Sequence, residues 1–217
     1  MNSEAVKQIE KLQDECAKRE ENLEWSRALE VAMHEMRLLL CLQKEAENET
    51  ESAEMAECLF RVGRIHYNMN NYVLAKLYLD LAIPKFIKLE MRINLANCYE
   101  YACQIALHNN NTDEALKVCN LAIDAILIHR QKETNLNYRQ MLLKRVGGFY
   151  LNMGRIREMR GEIMVAISDY RLGLDKEQPW SGPKHAALIK HVGDLYQQCY
   201  LTDDAKRCYA VAEIINR

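Results

Sequence analysis

Six histidines and eight cysteines are the side chains in this 217-residue chain best suited to catalysis or metal binding. The histidines, His34, His66, His108, His129, His185 and His191, are scattered; only the last two are close, and their six-residue spacing is out of phase for one helical face. No GxSxG, Walker-type GxxxxGK[ST], HExxH or GxGxxG occurs, so the familiar hydrolase, phosphate-loop, zinc-protease and dinucleotide signatures are absent. The cysteines, Cys16, Cys41, Cys58, Cys98, Cys103, Cys119, Cys199 and Cys208, form no CxxC pair, and zinc ligands ordinarily come in such close pairs. Most sit inside apolar-periodic stretches, where a reduced cysteine acts as a small core residue. No catalytic residue, metal or cofactor is expected, and the chain is read as non-enzymatic.

Recognition is the chemistry that remains. The formal net charge is −2, with 28% of residues charged, which gives no general case for nucleic acid or an anionic membrane as partner. No apolar run approaches the roughly 20 residues that span a bilayer. The opening MNSEAVKQIEKLQDECAKREE has no signal-peptide core, so an intracellular protein with a protein or peptide partner is expected.

The elements that must position recognition groups are helices. Three prolines and eight glycines punctuate the chain, and Leu, Ala, Glu, Lys, Met and Arg dominate it. Apolar residues return every three or four positions: Leu59, Val62, Ile65 and Met69 share one face. The next stretch, with Leu74, Leu77 and Leu81 beside Ala75, Tyr78 and Ala82, is apolar on two sides, as suits a helix between neighbours. Polar breaks at REEN (19–22), AENETES (46–52), NMNN (68–71), HNNNTD (108–113), QKET (131–134), QPWSGP (178–183) and LTDD (201–204) imply about ten helices in antiparallel pairs. None of them reads as a linker, so a single domain over 1–217 is expected.

A recurrence organises these helices. A small residue is followed twelve positions later by alanine five times: Cys16/Ala28, Gly63/Ala75, Cys103/Ala115, Gly154/Ala166 and Gly193/Ala205. Four residues after each alanine stand Ala32, Leu79, Cys119, Tyr170 and Tyr209; seven after stand Glu35, Ala82, Ala122, Gly173 and Ala212. Helices that cross tightly need small side chains at the contact and larger ones beside it. The first unit fits least well. In the fourth, Gly147 precedes Gly154 by seven residues, so either serves as the crossing residue and the helix that carries them is expected to be long.

On these residues the chain resembles the tetratricopeptide repeat, whose pattern runs W-x2-L-G-x2-Y and then A-x3-F. LFRVGRIHY supplies Leu59, Val62 and Gly63, with His66 where tyrosine is usual. MGRIREMRGEIMVAISDY supplies Gly154, Gly161 at the turn, Ala166 and Tyr170. IKHVGDLY supplies Ile189, Val192, Gly193 and Tyr196. The alanines stand 47, 40, 51 and 39 residues apart (28 to 75, 115, 166 and 205), longer than the usual ~34. In this the chain is similar to kinesin light chains, Pins-type adaptors and bacterial peptide-pheromone receptors. The resemblance implies an all-α, right-handed superhelical solenoid of about five antiparallel pairs, with approximate units 1–48, 49–90, 91–132, 133–178 and 179–217.

In such an array the first helix of each pair lines a concave groove. On this register the groove residues are Arg61, Arg64, Tyr67 and Asn68, then Asn97, Tyr101 and Gln104, then Lys144, Arg145, Asn152 and Arg155, then Lys190 and His191. Amides pair with both donor and acceptor of an extended peptide, and Arg and Lys favour carboxylates or phosphates on it. Chaperone-binding members of the family hold a C-terminal carboxylate with Lys and Asn; the matching positions here are Phe60, Arg64 and Tyr101, so that clamp is lacking. The expected function is an interaction module for an acidic extended or helical peptide. The alternatives are a scaffold in a cytoskeletal or motor-associated assembly and a peptide-sensing regulator. Solenoids usually end in a polar cap, which the charged first helix resembles, whereas Val211, Ile214 and Ile215 have no successor. Self-association through that end, or a longer protein of which this is a segment, is the resulting expectation.

Overall fold

Alternating helical periodicity and short polar breaks produce ten α-helices in the computed structural model, which describes residues 3–45 and 52–216. They are α1 (Ser3–Glu21), α2 (Trp25–Glu45), α3 (Ala53–Asn68), α4 (Tyr72–Lys88), α5 (Arg92–His108), α6 (Thr112–Lys132), α7 (Leu136–Met159), α8 (Ile163–Lys176), α9 (Gly182–Gln198) and α10 (Thr202–Ile215). No strand occurs among the described residues. Most of the AENETES break lies outside them. No helix among them is long and apolar enough to cross a membrane. The chain forms two compact units, Met1–Asn109 and Asn110–Arg217, dividing between α5 and α6.

Most connections are three residues long and close in one way. The middle residue is left-handed: Leu23 (φ 58°), Asn70 (59°), Glu90 (53°), Gly161 (74°) and Tyr200 (61°). The next N–H reaches back five residues, from Glu24 to Arg19 O, Asn71 to His66 O, Met91 to Phe86 O, Glu162 to Arg157 O and Leu201 to Tyr196 O, at 2.8–3.0 Å. This is the Schellman closure, which satisfies carbonyls that a helix end leaves without partners. Glycine supplies the turn only at Gly161. The break after α4, at Leu89–Met91, contains no Gly, Pro, Asn, Asp or Ser to mark a turn and is invisible in the sequence.

Within the first unit, α1 packs on α2, α2 on α3, α3 on α4, and α4 on α5. The first pair, the poorest match in the sequence, is a full hairpin: Cys16 Sγ lies 3.4 Å from the Ala28 carbonyl, and Cys58 Sγ meets Ala32 O at 3.5 Å. Burial pushes the Cys16 thiol up to about 12, and burial likewise raises Cys58 and brings Cys98 to about 12. These thiols therefore act as core atoms, not nucleophiles. A Cβ on Gly63 would meet Ala75 O and Leu79 at 3.3 Å, so the small residue faces the alanine and the residue four beyond it.

One expectation for this unit is corrected. Helix α4 is apolar on two sides, but its second side is not sandwiched: Val73, Leu77 and Leu81 are 81%, 51% and 47% exposed.

In the second unit, α7 is the longest helix, at 24 residues, and both of its candidate crossing glycines make contacts. A Cβ at Gly154 would come within 2.7 Å of the Tyr170 ring, and one at Gly147 within 2.9 Å of Gly173 O. Two close approaches along α7 and α8 account for its length. Gly193 repeats the arrangement against Tyr209, at 2.7 Å. A core of Ile167, Tyr170, Leu174, Ile189, Val192 and Leu195 joins α8 to α9, with Val211 and Ile215 of α10 partly buried against it. Of the three apolar residues expected to lie uncovered, Ile214 alone is largely exposed, at 70%.

Candidate functional site

Helices α3 and α5 present matching faces in the first unit. Phe60, Arg64 and Tyr67 follow each other at four and three residues on α3; Asn97, Tyr101 and Gln104 do so on α5. This spacing stacks side chains on one face. With Glu100 they line a cleft of about 310 Å³. Its aromatic wall is a set of edge-to-face contacts: Phe60 with Tyr101 at 5.9 Å, Tyr67 with Tyr101 at 5.1 Å, and Tyr67 with Tyr72 at 5.5 Å. Tyr72 in turn lies 4.0 Å from His108, which closes the row. Burial raises the Tyr67 and Tyr101 hydroxyls above their ordinary range, keeping them neutral. The cleft thus offers apolar ring surface flanked by amides.

The cationic residues expected in this part of the groove are otherwise engaged. Arg61 is largely buried and forms an ion pair with Glu35, which has no exposed surface; Gln13 Nε2 donates to the other Glu35 oxygen at 2.9 Å. Arg61 therefore ties α3 to α2 instead of facing a ligand. Arg64 stays at the cleft, 2.8 Å from Glu20 of α1 and 5.8 Å above the Phe60 ring, so its charge is already partnered. Asn68 is half-buried at the end of α3, outside the cleft lining.

The second unit holds the remaining expected residues on α7 and α9. Lys144, Arg155 and Lys190 are exposed, and Arg145, Asn152 and His191 are half-buried. His191 Nε2 stands 2.9 Å from Glu158 Oε2, which also accepts a 2.8 Å bond from the Tyr170 hydroxyl. Burial works against the Glu158 charge, but these two bonds, with Arg155 nearby, hold its carboxyl below the usual range. His191 is thereby fixed in place, whereas Lys144, Arg155 and Lys190 are the expected cations that stand exposed.

Several site residues escaped the sequence reading. Phe60 was detectable, being one turn before Arg64 on the same face. Glu20 and Glu158 were not, because Glu20 reaches Arg64 across 44 residues and Glu158 reaches His191 across 33. No group of three or more His, Cys, Asp or Glu able to hold a metal ion occurs among the described residues.

No family model matches the chain, and no curated protein matches it. Solved structures do. BtubC from P. vanneervenii matches with a TM-score of 0.71 at 12% identity, over 95% of this chain and 79% of that one. A Podosopora anserina putative kinesin light chain with nearly identical TPR-like repeats gives 0.67 at 11%, over 99% and 97%. The Rap conjugation gene regulator of plasmid pLS20, in complex with a Phr peptide, gives 0.55 at 14%, over 91% of this chain and 50% of that one.

Proposed function

We propose that this chain, which has the fold of the tetratricopeptide-like repeat proteins, is a non-catalytic interaction module that takes a peptide segment on the first-helix faces of its repeats. The observation that carries the reading is the α3–α5 cleft, where Tyr67, Tyr101 and Phe60 border Asn97 and Gln104. Rings of this kind take apolar or proline side chains at little entropic cost, and paired amides satisfy an extended main chain. Supporting it, one solved structure of the same fold, the Rap regulator, is a peptide complex. Lys144, Arg155 and Lys190 favour acidic residues in the ligand. Arg61 takes no part, since its guanidinium serves Glu35.

Selection from a phage-displayed library of linear peptides tests this. Selected peptides should bind the wild type saturably and lose at least about tenfold with Tyr67→Ala or Gln104→Ala, the helical melt being unchanged. Equal binding to wild type and both variants would sink the cleft reading.

A second reading, an assembly scaffold of the cytoskeletal or motor-associated kind, is favoured by one feature. The exposed stripe Val73, Leu77 and Leu81 on α4 is contiguous apolar surface of the sort that partners cover.

A further inference from the structure

The connection from α8 to α9, Glu177–Ser181, is five residues long where the repeat turns take three. The longer loop carries Trp180 back onto the core between those helices, and its indole N–H donates to Leu174 O at 2.7 Å. Beside it is a cleft of about 390 Å³ among α8, α9 and α10, its floor made by Leu174, Trp180, Ile189, Val192 and Val211. The volume and the largely apolar floor are those of a small-ligand or side-chain pocket.

Charge at the rim decides what enters. Asp204 is 3.5 Å from Arg207, and Asp175 is 2.9 Å from Lys176, so these four groups form two pairs of opposite sign. Arg171 differs. Its Nη1 donates to the Tyr196 hydroxyl at 3.2 Å, and its cationic charge has no carboxylate within ion-pair range among the described residues. That bond also pins Tyr196 as a wall of the cleft. The result is an apolar pocket with two guanidiniums at its edge, Arg207 paired with Asp204 and Arg171 held only by the Tyr196 hydroxyl, with further N–H donors beyond that bond.

We propose that this cleft is a second peptide site, separate from the one between α3 and α5, which takes an apolar side chain with an adjacent Asp or Glu of a partner polypeptide. The apolar group fills the space over Leu174 and Val192, and the carboxylate pairs with Arg171. The site stands whether or not the α3–α5 cleft binds peptide, because it shares no residue with it.

Trp180 and Trp25 are the two tryptophans of the chain, so in Trp25→Phe protein the indole signal of Trp180 reports the cleft directly. The probes are acetylated, amidated Gly-Phe-Asp-Gly and its Gly-Phe-Asn-Gly counterpart, followed by the Trp180 indole N–H resonance in nitrogen-15 spectra. Saturable shifts are expected with the Asp peptide, about fivefold weaker binding with the Asn peptide, and loss of that difference in Arg171→Gln. No saturable Trp180 shift, or equal affinity for the two peptides in protein that keeps Arg171, overturns the proposal. So does an Arg171→Gln variant that still discriminates. Binding of 3-phenylpropionate as tight as the Asp peptide would assign the cleft to a free small acid and equally overturn it. Arg171 is exposed, so its variant leaves the fold intact, which the unchanged remainder of the spectrum verifies.

Discussion

At the scale of single residues, the chain places polar groups where its pattern asks for small or aromatic ones. His66 occupies the position where the repeat ordinarily has tyrosine; it is 7% exposed and stacks on Tyr78 with centroids 5.5 Å apart and planes 13° off parallel. Burial lowers its pKa below the ordinary histidine value. The folded state therefore binds that proton less readily than the unfolded state does. Its neutral form costs nothing above the unfolded pKa, and stability falls as pH drops through that value toward the lowered folded one. Between about pH 7.5 and about pH 5.5 the wild type should lose more thermal stability than His66→Tyr. Parallel melting curves check this, and identical pH slopes would refute it. Glu35 is the other intrusion, standing where the later units have Ala82, Ala122, Gly173 and Ala212. Arg61 and Gln13 satisfy it, so removing Arg61 alone would leave a buried carboxylate short of a partner, a costly defect.

At the scale of helices, adjacent glycines on α7 make opposite demands. A Cβ on Gly147 collides with the Gly173 backbone, whereas one on Gly148 meets nothing within 4 Å. Gly147→Ala should destabilise by roughly 1–3 kcal/mol through forced separation of α7 and α8. Gly148→Ala should stabilise by about 0.5–1 kcal/mol, because glycine is a poor helix residue. Chemical denaturation of the two single variants decides it, and a shared sign would show the crossing to be mistaken. The helices themselves were legible because apolar spacing at 3.6 residues survives any single substitution, and the pairing because Gly63, Gly154 and Gly193 recur before an alanine. The turn at Glu90 was not legible, since glutamate carries no turn chemistry and its left-handed backbone is fixed by the Phe86 carbonyl instead. In the candidate site, the residues sharing a face on α3 and α5 could be read from spacing. The fate of Arg61 and Arg64 could not, because their partners Glu35 and Glu20 come from other helices at a register that only packing sets.

At the scale of the whole molecule, two surfaces of the first unit compete for the role of its partner site. The α3–α5 cleft is concave and mixed in character; the Val73–Leu77–Leu81 stripe on α4 is apolar and open. Both lie in the first compact unit on different helices, so variants separate them. Leu77→Lys should leave stability within about 0.5 kcal/mol and leave binding of cleft-selected peptides unchanged, while Tyr67→Ala weakens that binding at least about tenfold. Isothermal titration with the same peptide against both variants is the measurement. Loss with Leu77→Lys and retention with Tyr67→Ala would move the function to the outer face of α4.

The hairpin closures bear on how little sequence the fold requires. A bend held by a main-chain N–H returning to a carbonyl five residues back is indifferent to the side chain it carries, and here leucine, asparagine, glutamate, glycine and tyrosine all occupy the bend. Selection acting on such a bend has little in the way of a residue to preserve. An architecture closed in this way asks for little more in common than a few small residues at helix crossings, and this chain matches the BtubC, kinesin light chain and Rap structures at only 11–14% identity.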